Sequence, residues 1–244
     1  MTDATTLLVV GGGSGIGLAA ARLAAAAGTR VVVADIDADA AATVRQLDGD
    51  VTFVRCDATE PDSVRAMVDA AAARLHRLDG VLTTVGGAHL APIEEVEPED
   101  WDRELAFNLT SAYLVCRAIA PVMQRRRSGA IVTTASGFAL LAATDRAAYA
   151  AAKAGVISLS RSLAATLAPD RIRVNCLAPG PTDTPRFRAM NGGDEGVARV
   201  RASMPLGEIP TPEDCAHVAL FLLSDLARAV TGQVIHVNGG LITP

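Results

Sequence analysis

Along the chain, short apolar runs rich in β-branched residues alternate with longer stretches of helical period. Residues 6–10, 31–35, 51–55, 81–85, 130–134, 172–177 and 234–237 read as seven strands, nearly all apolar throughout. Strands without polar alternation are buried on both faces, the condition of a parallel sheet between two layers of helices. Residues 14–27, 38–47, 61–75, 100–126, 146–168 and 212–223 carry the helical pattern, with Gly28 and Pro169 as stop signals. Between 185 and 205 the pattern breaks into Arg, Gly and acidic residues, which predicts a mobile surface segment near whatever is bound. No repeat, linker or second composition zone appears, so one α/β domain over 1–244 is expected.

Half of the 244 residues are hydrophobic and only 3% are aromatic, so the core must be built from small aliphatic contacts. A net charge of -5, with no basic cluster beyond Arg125-Arg126-Arg127, argues against nucleic acid as a partner. That triplet reads as a solvated helix end. The amino-terminal run MTDATTLLVVGGG has no basic leader, and no stretch reads as a signal peptide or membrane span. Cys56, Cys116, Cys176 and Cys215 are too scattered for a zinc site or a disulfide framework, which points to a reducing, cytoplasmic setting and no metal. The N-x-T triplet at Asn108 is then a glycosylation sequon by accident.

Candidate chemistry begins where the first strand runs into Gly11-Gly12-Gly13-Ser14-Gly15-Ile16-Gly17 and an alanine-rich helix. Such a turn brings backbone N–H groups and a helix dipole to one point, which suits a pyrophosphate. A Walker loop would need lysine where Leu18 stands, and a nucleophile elbow around Ser14 would need glycine where Ile16 stands. The strict G-x-G-x-x-G spacing fails as well; G-x-x-x-G-x-G over Gly11, Gly15 and Gly17 fits, and by itself it is also compatible with a structural tight turn. The second strand ends in Asp35, 18 residues past Gly17, where a carboxylate can accept hydrogen bonds from ribose hydroxyls. A 2′-phosphate there would meet Asp35 at a cost of roughly 3 kcal/mol per unit charge pair at ~5 Å and an effective dielectric of ~20. Neither Ser14 nor Ile36 offers a compensating cation, so NAD is predicted over NADP.

Tyr149 and Lys153 stand at i and i+4 on the helix over 146–168, so their side chains are neighbours. Lys153 is the only lysine, and with two tyrosines among 244 residues it would fall four after one of them in about 1 of 120 random placements. Lowering a tyrosine from about 10 to near 7 takes roughly 4 kcal/mol. A cation ~5 Å away supplies roughly 3 kcal/mol, and an oxidised nicotinamide could supply the rest.

G-x-x-x-G-x-G, the following aspartate and Y-x-x-x-K, in a chain of this length, resemble the classical short-chain dehydrogenase/reductase family almost end to end. The resemblance implies a Rossmann-type fold with a seven-stranded parallel sheet in order 3-2-1-4-5-6-7, helices on both faces, and a tetramer or dimer. It implies catalysis by Asn108, Ser136, Tyr149 and Lys153, with Ser136 on the substrate oxygen and Asn108 holding a relay water. Read as bare residues, Ser136 could merely cap a turn and Asn108 could bend its helix. The resemblance further assigns cofactor contacts to Gly11, Ser14, Gly15, Ile16, Gly17, Asp35 and Ile36, and to Asp57 and Ala58 beside the adenine. Thr84, Gly86, Tyr149 and Lys153 follow, with Pro179, Gly180, Thr182 and Thr184 beside the nicotinamide carboxamide. Three departures are visible: Val10 for a threonine, Thr83-Thr84-Val85-Gly86 for N-N-A-G, and Asn238 for an aspartate in the closing motif. The missing polar groups put the bonding between first and fourth strands in doubt, with Thr83 and Thr84 as substitutes.

The implied activity is NAD-dependent hydride transfer with a small secondary alcohol or ketone, Tyr149 being the general acid and base. A 3-oxoacyl-carrier-protein reductase and a non-catalytic NAD-responsive subunit are the alternatives. His89, Leu90, Phe138, Leu141, Phe187 and Met190 lie in segments that could line a substrate pocket or simply pack. Arg186 and Arg188 could meet an acidic substrate group or face water.

Overall fold

In the computed structural model, which describes residues 6–243, all seven strands form where the apolar runs place them. They are β1 (Thr6–Val10), β2 (Arg30–Asp35), β3 (Val51–Arg55), β4 (Gly80–Thr83), β5 (Gly129–Thr134), β6 (Ile172–Pro179) and β7 (Val234–Val237). Every neighbouring pair is parallel, and the order is β3-β2-β1-β4-β5-β6-β7, as the resemblance implies. The expected absence of a leader turns partly on residues 1–5, which lie outside the described residues.

Alternate residues of each strand feed two separate cores. Leu8, Val10, Val32, Val81 and Ile131 pack against α3 (Pro61–Leu75) and α5 (Ser111–Arg126). Leu7, Val9, Val31, Val33 and Val132 pack against α1 (Gly15–Ala26) and α9 (Pro212–Leu223). α1 meets this face through Ala20, Ala21 and Ala24, so a chain poor in aromatics fills its core by close approach of helix to sheet. α6 (Ala147–Leu167) closes the first face through Val156 and Ile157 against Ala135, Cys176 and Ala178.

Helix boundaries differ from expectation in three places. α2 covers only Ala40–Val44, because Gln46 and Leu47 already bond three residues back and Gly49, at φ 101°, turns the chain into β3. The helix expected over 100–126 begins at Pro98 and is interrupted. α4 (Pro98–Leu105) passes into α5 through a π-helical turn at Ala106–Thr110. The whole run, Pro98–Arg126, is long and apolar enough to cross a membrane, but Leu114, Val115, Ile119 and Met123 are buried against the sheet as in a core helix. Finally, the segment over 185–205 is not patternless. It folds into α7 (Pro185–Met190), capped by the Thr184 hydroxyl, and α8 (Asp194–Ser203), separated by Gly192 and Gly193 at positive φ.

Candidate active site

The carboxyl ends of β1, β2 and β4 meet at the glycine turn. Gly11 and Gly12 donate to the Ala34 carbonyl, and Gly11 and Gly15 hold φ of 79° and 51°. A side chain at Gly17 would strike the Gly11 carbonyl, and one at Gly13 would strike Asp35 and Ala40. Ser14 precedes α1 without a side-chain cap bond, so its hydroxyl does not compete for the first N–H groups of the helix, and Ile16 lines the cavity beyond. Asp35 ends β2 with one carboxylate oxygen on the Gly13 N–H at 2.8 Å and the other on Asp37 N–H at 3.1 Å. Each oxygen keeps a lone pair, and Ile36 beside it is exposed. Asp57 follows β3 with Oδ1 taken by the Thr59 N–H and hydroxyl, and Ala58 is buried next to it. Arg55 had no place in the sequence argument for cofactor choice. Register puts it opposite Asp35, and its Nε reaches the Ile36 carbonyl at 3.4 Å.

The substitutions near β4 are compensated as expected for Thr84, whose hydroxyl donates to the Gly11 carbonyl at 2.8 Å and reaches the Val10 carbonyl at 3.2 Å. Asn238 uses an amide where an ionised aspartate could not serve. It accepts from Gly240 N–H and donates to the Ile242 carbonyl, each at 2.9 Å.

Four further residues converge. Tyr149 and Lys153 project from the first turns of α6, with the Lys153 ammonium 5.8 Å from the Tyr149 ring centre. Lys153 is only 3% exposed and donates to the carbonyls of Thr134 (3.0 Å) and Val85 (3.4 Å). Ser136, just past β5, lies near enough to the Tyr149 hydroxyl to favour its ionised form and accepts from Phe138 N–H, so it caps a turn as well as facing the tyrosine. Asn108 sits in the π-helical turn, fully buried, and clasps Gly87 in both directions: Oδ1 accepts from its N–H and Nδ2 donates to its carbonyl. Gly86, at φ 143°, has no room for a side chain, because a Cβ would lie 2.5 Å from Asn108 Oδ1 and 2.6 Å from Lys153 Nζ. Sequence reasoning missed Glu104, four residues before Asn108. Its buried carboxylate accepts from Asn108 Nδ2 at 2.8 Å and from His89 N–H at 2.6 Å. The i, i+4 spacing to Asn108 was the signal available.

Electrostatics correct one expectation. The protein's own groups push the Tyr149 hydroxyl above its ordinary value of 10.0, because burial outweighs the Ser136 hydrogen bond and the charges of Arg186 and Arg146. The Lys153 ammonium is itself pulled down to about 8 by burial and is still the charged form at neutral pH.

Ser136, Tyr149 and Lys153 open on a cavity of about 500 Å³ at the ends of β4, β5 and β6, with Asn108 buried behind its lining. Pro179, Gly180, Thr182 and Thr184 form one wall, with Thr184 also capping α7. Leu90, Phe138, Phe187 and Met190 line it, whereas His89 and Leu141 do not. Arg188 is tied to Asp183 and Asp194 outside the cavity, while Arg186 lies within it. The four cysteines are free and buried, and no metal-binding cluster of His, Cys, Asp or Glu occurs among the described residues.

Known proteins resemble this chain over nearly its whole length. Residues 11–242 match the family model described as enoyl-(acyl carrier protein) reductase. The chain is 37% identical over 242 residues to D-threitol dehydrogenase of Mycolicibacterium smegmatis, covering 98% of this chain and 93% of that one. It is 38% identical to cis-4-hydroxycyclohexanecarboxylate dehydrogenase of Sinomonas cyclohexanicum, covering 96% and 94%. It is 36% identical to a 3-oxoacyl-[acyl-carrier-protein] reductase of Chlamydia trachomatis, covering 97% and 96%. Among solved structures, a short-chain type dehydrogenase/reductase from Mycobacterium ulcerans superposes with a TM-score of 0.93 at 34% identity, covering 99% of this chain and 90% of that one. On strand order, site geometry and relatives together, the chain belongs to the classical short-chain dehydrogenase/reductase family, whose oxidoreductases use a nicotinamide cofactor.

Proposed function

We propose that this chain, acting over 1–244 as one cofactor-binding domain, is an NAD-dependent oxidoreductase of secondary alcohols and ketones. The observation that carries the reading is the convergence of Tyr149, Ser136 and Lys153 on one wall of a cavity bordered by the glycine turn. The chemistry of the donor set fits a dinucleotide. The turn over Gly11, Ser14, Gly15, Ile16 and Gly17 would take the pyrophosphate, and the free lone pairs of Asp35 the adenosine ribose, next to Ile36. Asp57 and Ala58 stand where the adenine would lie. Thr84, Gly86, Pro179, Gly180, Thr182 and Thr184, which line the cavity, would hold the nicotinamide, and Lys153 and Tyr149 its ribose. When bound, the nicotinamide supplies or accepts the hydride, and its oxidised form adds a positive charge near Tyr149.

In the direction of ketone reduction, Tyr149 donates its proton to the substrate oxygen, and the Ser136 hydroxyl fixes that oxygen by a hydrogen bond. Lys153 stabilises the phenolate left behind. Both amide hydrogens of Asn108 are engaged with Gly87 and Glu104, so a relay water would rest on the remaining lone pair of Oδ1. Because burial raises Tyr149, the phenol is protonated at neutral pH and ready as an acid. Alcohol oxidation needs the phenolate and is expected to speed up as pH rises.

NAD over NADP rests on Asp35, whose carboxylate would face a 2′-phosphate. Arg55 offsets part of that repulsion, so the preference in kcat/KM is expected to be at least about tenfold rather than the roughly 100-fold that ~3 kcal/mol alone would give. A panel of secondary alcohols and ketones with both cofactors, read by NADH or NADPH absorbance, tests the reading. Tyr149→Phe should lower kcat by roughly 100- to 10,000-fold with NADH binding nearly unchanged. Undiminished turnover would refute the role of Tyr149. The chlamydial relative favours a second reading, a 3-oxoacyl-carrier-protein reductase. NADPH preference with turnover of acetoacetyl thioesters would establish it instead.

A further inference from the structure

We propose that Arg186 is a specificity-determining residue, and that its guanidinium binds a carboxylate on the part of the substrate remote from the reacting carbon. The proposal rests on the dehydrogenase reading above and names the substrate class of that site: hydroxy and oxo acids.

The charges lining the cavity are Asp145, Arg146, Lys153 and Arg186, three cations against one carboxylate in a chain whose net charge is -5. Lys153 is wedged among backbone carbonyls beneath Tyr149. Arg146 is held by both oxygens of Asp145, at 2.8 and 3.1 Å, and lies over the Phe138 ring at 4.2 Å. Arg186 alone of the three cations has neither burial nor a counter-ion. It takes part in no ion pair among the described residues, and its one recorded acceptor is the Ala88 carbonyl at 3.1 Å. Glu104, the next carboxylate inward, is engaged by His89 N–H and Asn108 Nδ2.

The position of the guanidinium is prepared by the opposite wall. It lies against Gly87, in the space a side chain there would occupy, so a larger residue at 87 would displace the guanidinium. Gly87 does not lie in the left-handed region that requires glycine, unlike Gly86, so the space it leaves is what distinguishes it. Its backbone is meanwhile fixed by Asn108. Arg186 thus crosses from α7 to the β4 loop on the substrate side of Tyr149, near enough that its charge pulls the phenol pKa downward against burial. A planar fork of donors with free positions, facing a cavity with apolar walls at Phe138, Phe187 and Met190, fits a carboxylate on a compact hydrocarbon frame.

The test pairs 4-hydroxycyclohexanecarboxylate and 3-hydroxybutyrate with their methyl esters as substrates. The parent enzyme should favour the acids in kcat/KM. Arg186→Met should cut that preference by roughly 10- to 100-fold with the KM for NAD unchanged, and the change in kcat that follows from losing its charge beside Tyr149 should fall equally on acids and esters; Arg186→Lys should restore part of the preference. Turnover with no preference for the acids, or a preference that survives Arg186→Met, overturns the proposal while leaving the dehydrogenase reading intact. A raised KM for NAD with the preference unaltered also overturns it, by giving the arginine to the dinucleotide. If no alcohol is oxidised, the dehydrogenase reading fails, and binding decides the subsite separately. Cyclohexanecarboxylate titrated into the NADH complex should bind saturably to the parent and not to Arg186→Met; absence of binding to the parent overturns the proposal.

Discussion

Lys153 is held almost wholly inside the protein with two carbonyls as its acceptors, and a buried ammonium of this kind is a burden on the fold. Its pKa falls to about 8 from 10.5, with burial the main cause and Cys176 and Glu104 opposing it. Between those values the unfolded chain binds a proton that the folded chain does not, so rising pH stabilises the fold in that window. Below pH 8 the penalty stands in full at about 3 kcal/mol, and by about 10.5 it is gone. Lys153→Met should therefore be more stable than the parent at pH 7 by up to about 3 kcal/mol, less the cost of the two carbonyls it orphans. The advantage should shrink toward pH 10.5. Urea midpoints for both proteins across this range check it; taking their difference cancels the buried cysteines, and a gap independent of pH would contradict the assignment. At this scale the sequence was informative where spacing implies contact, as for Tyr149 and Lys153 on one helix face. It was silent where contact comes from register or from a loop folding back, as for Arg55 beside Asp35 and Arg186 over Gly87.

The π-helical turn at Ala106–Thr110 is the element on which the site depends most. A wider turn places Asn108 inward, and the helix run over Pro98–Arg126 can then serve both the core and the cavity. Glu104, one turn earlier, secures the arrangement by bonding both Asn108 and the loop at His89. Glu104→Leu would leave the His89 N–H facing an apolar side chain, at about 1–3 kcal/mol, and would strip Asn108 of its charged acceptor while Nδ2 keeps the carbonyls of Gly87 and residue 104. The variant should unfold at lower urea concentration and lose kcat more than it loses affinity for NADH. Glu104→Gln keeps an acceptor and should recover most of the stability. An unchanged urea midpoint in Glu104→Leu would show that the pair of bonds contributes nothing. Hydropathy foretells such a turn poorly, because one extra residue shifts the phase of the apolar face by about 100° only once, between α4 with eight residues and α5. The two helices over 185–205 were hidden for a different reason. α7 has six residues and α8 ten, short lengths over which apolar positions mark no face.

At the scale of the whole molecule, the sheet was legible because strands buried on both faces are apolar at every position, and their order followed from the family resemblance rather than from the pattern. The cavity was less legible, since its walls come from the loops after β4, β5 and β6 together with α7. Assembly is where the fold still has surface to account for. β7 ends the sheet with one free edge, and its His236 carries a buried Nδ1 with no partner in the described chain. Near that edge, Phe221 on α9 is 44% exposed and Leu226 is 67% exposed; Tyr113, 45% exposed, stands on the outer surface of α5. The α9 and β7 surface and the α5 surface belong to helices on opposite faces of the sheet. A single self-complementary surface gives a dimer, whereas two distinct ones, each pairing with its own copy, close into a tetramer. Four chains of 25.1 kDa should therefore appear as a particle of about 100 kDa by light scattering. Tyr113→Glu, placing a charge in one of the two contacts, should leave a species of about 50 kDa, two chains of 25.1 kDa, that still binds NADH. A 25.1 kDa particle for the parent at micromolar concentration would show that neither surface is an interface. A tetramer untouched by Tyr113→Glu would locate the second contact elsewhere.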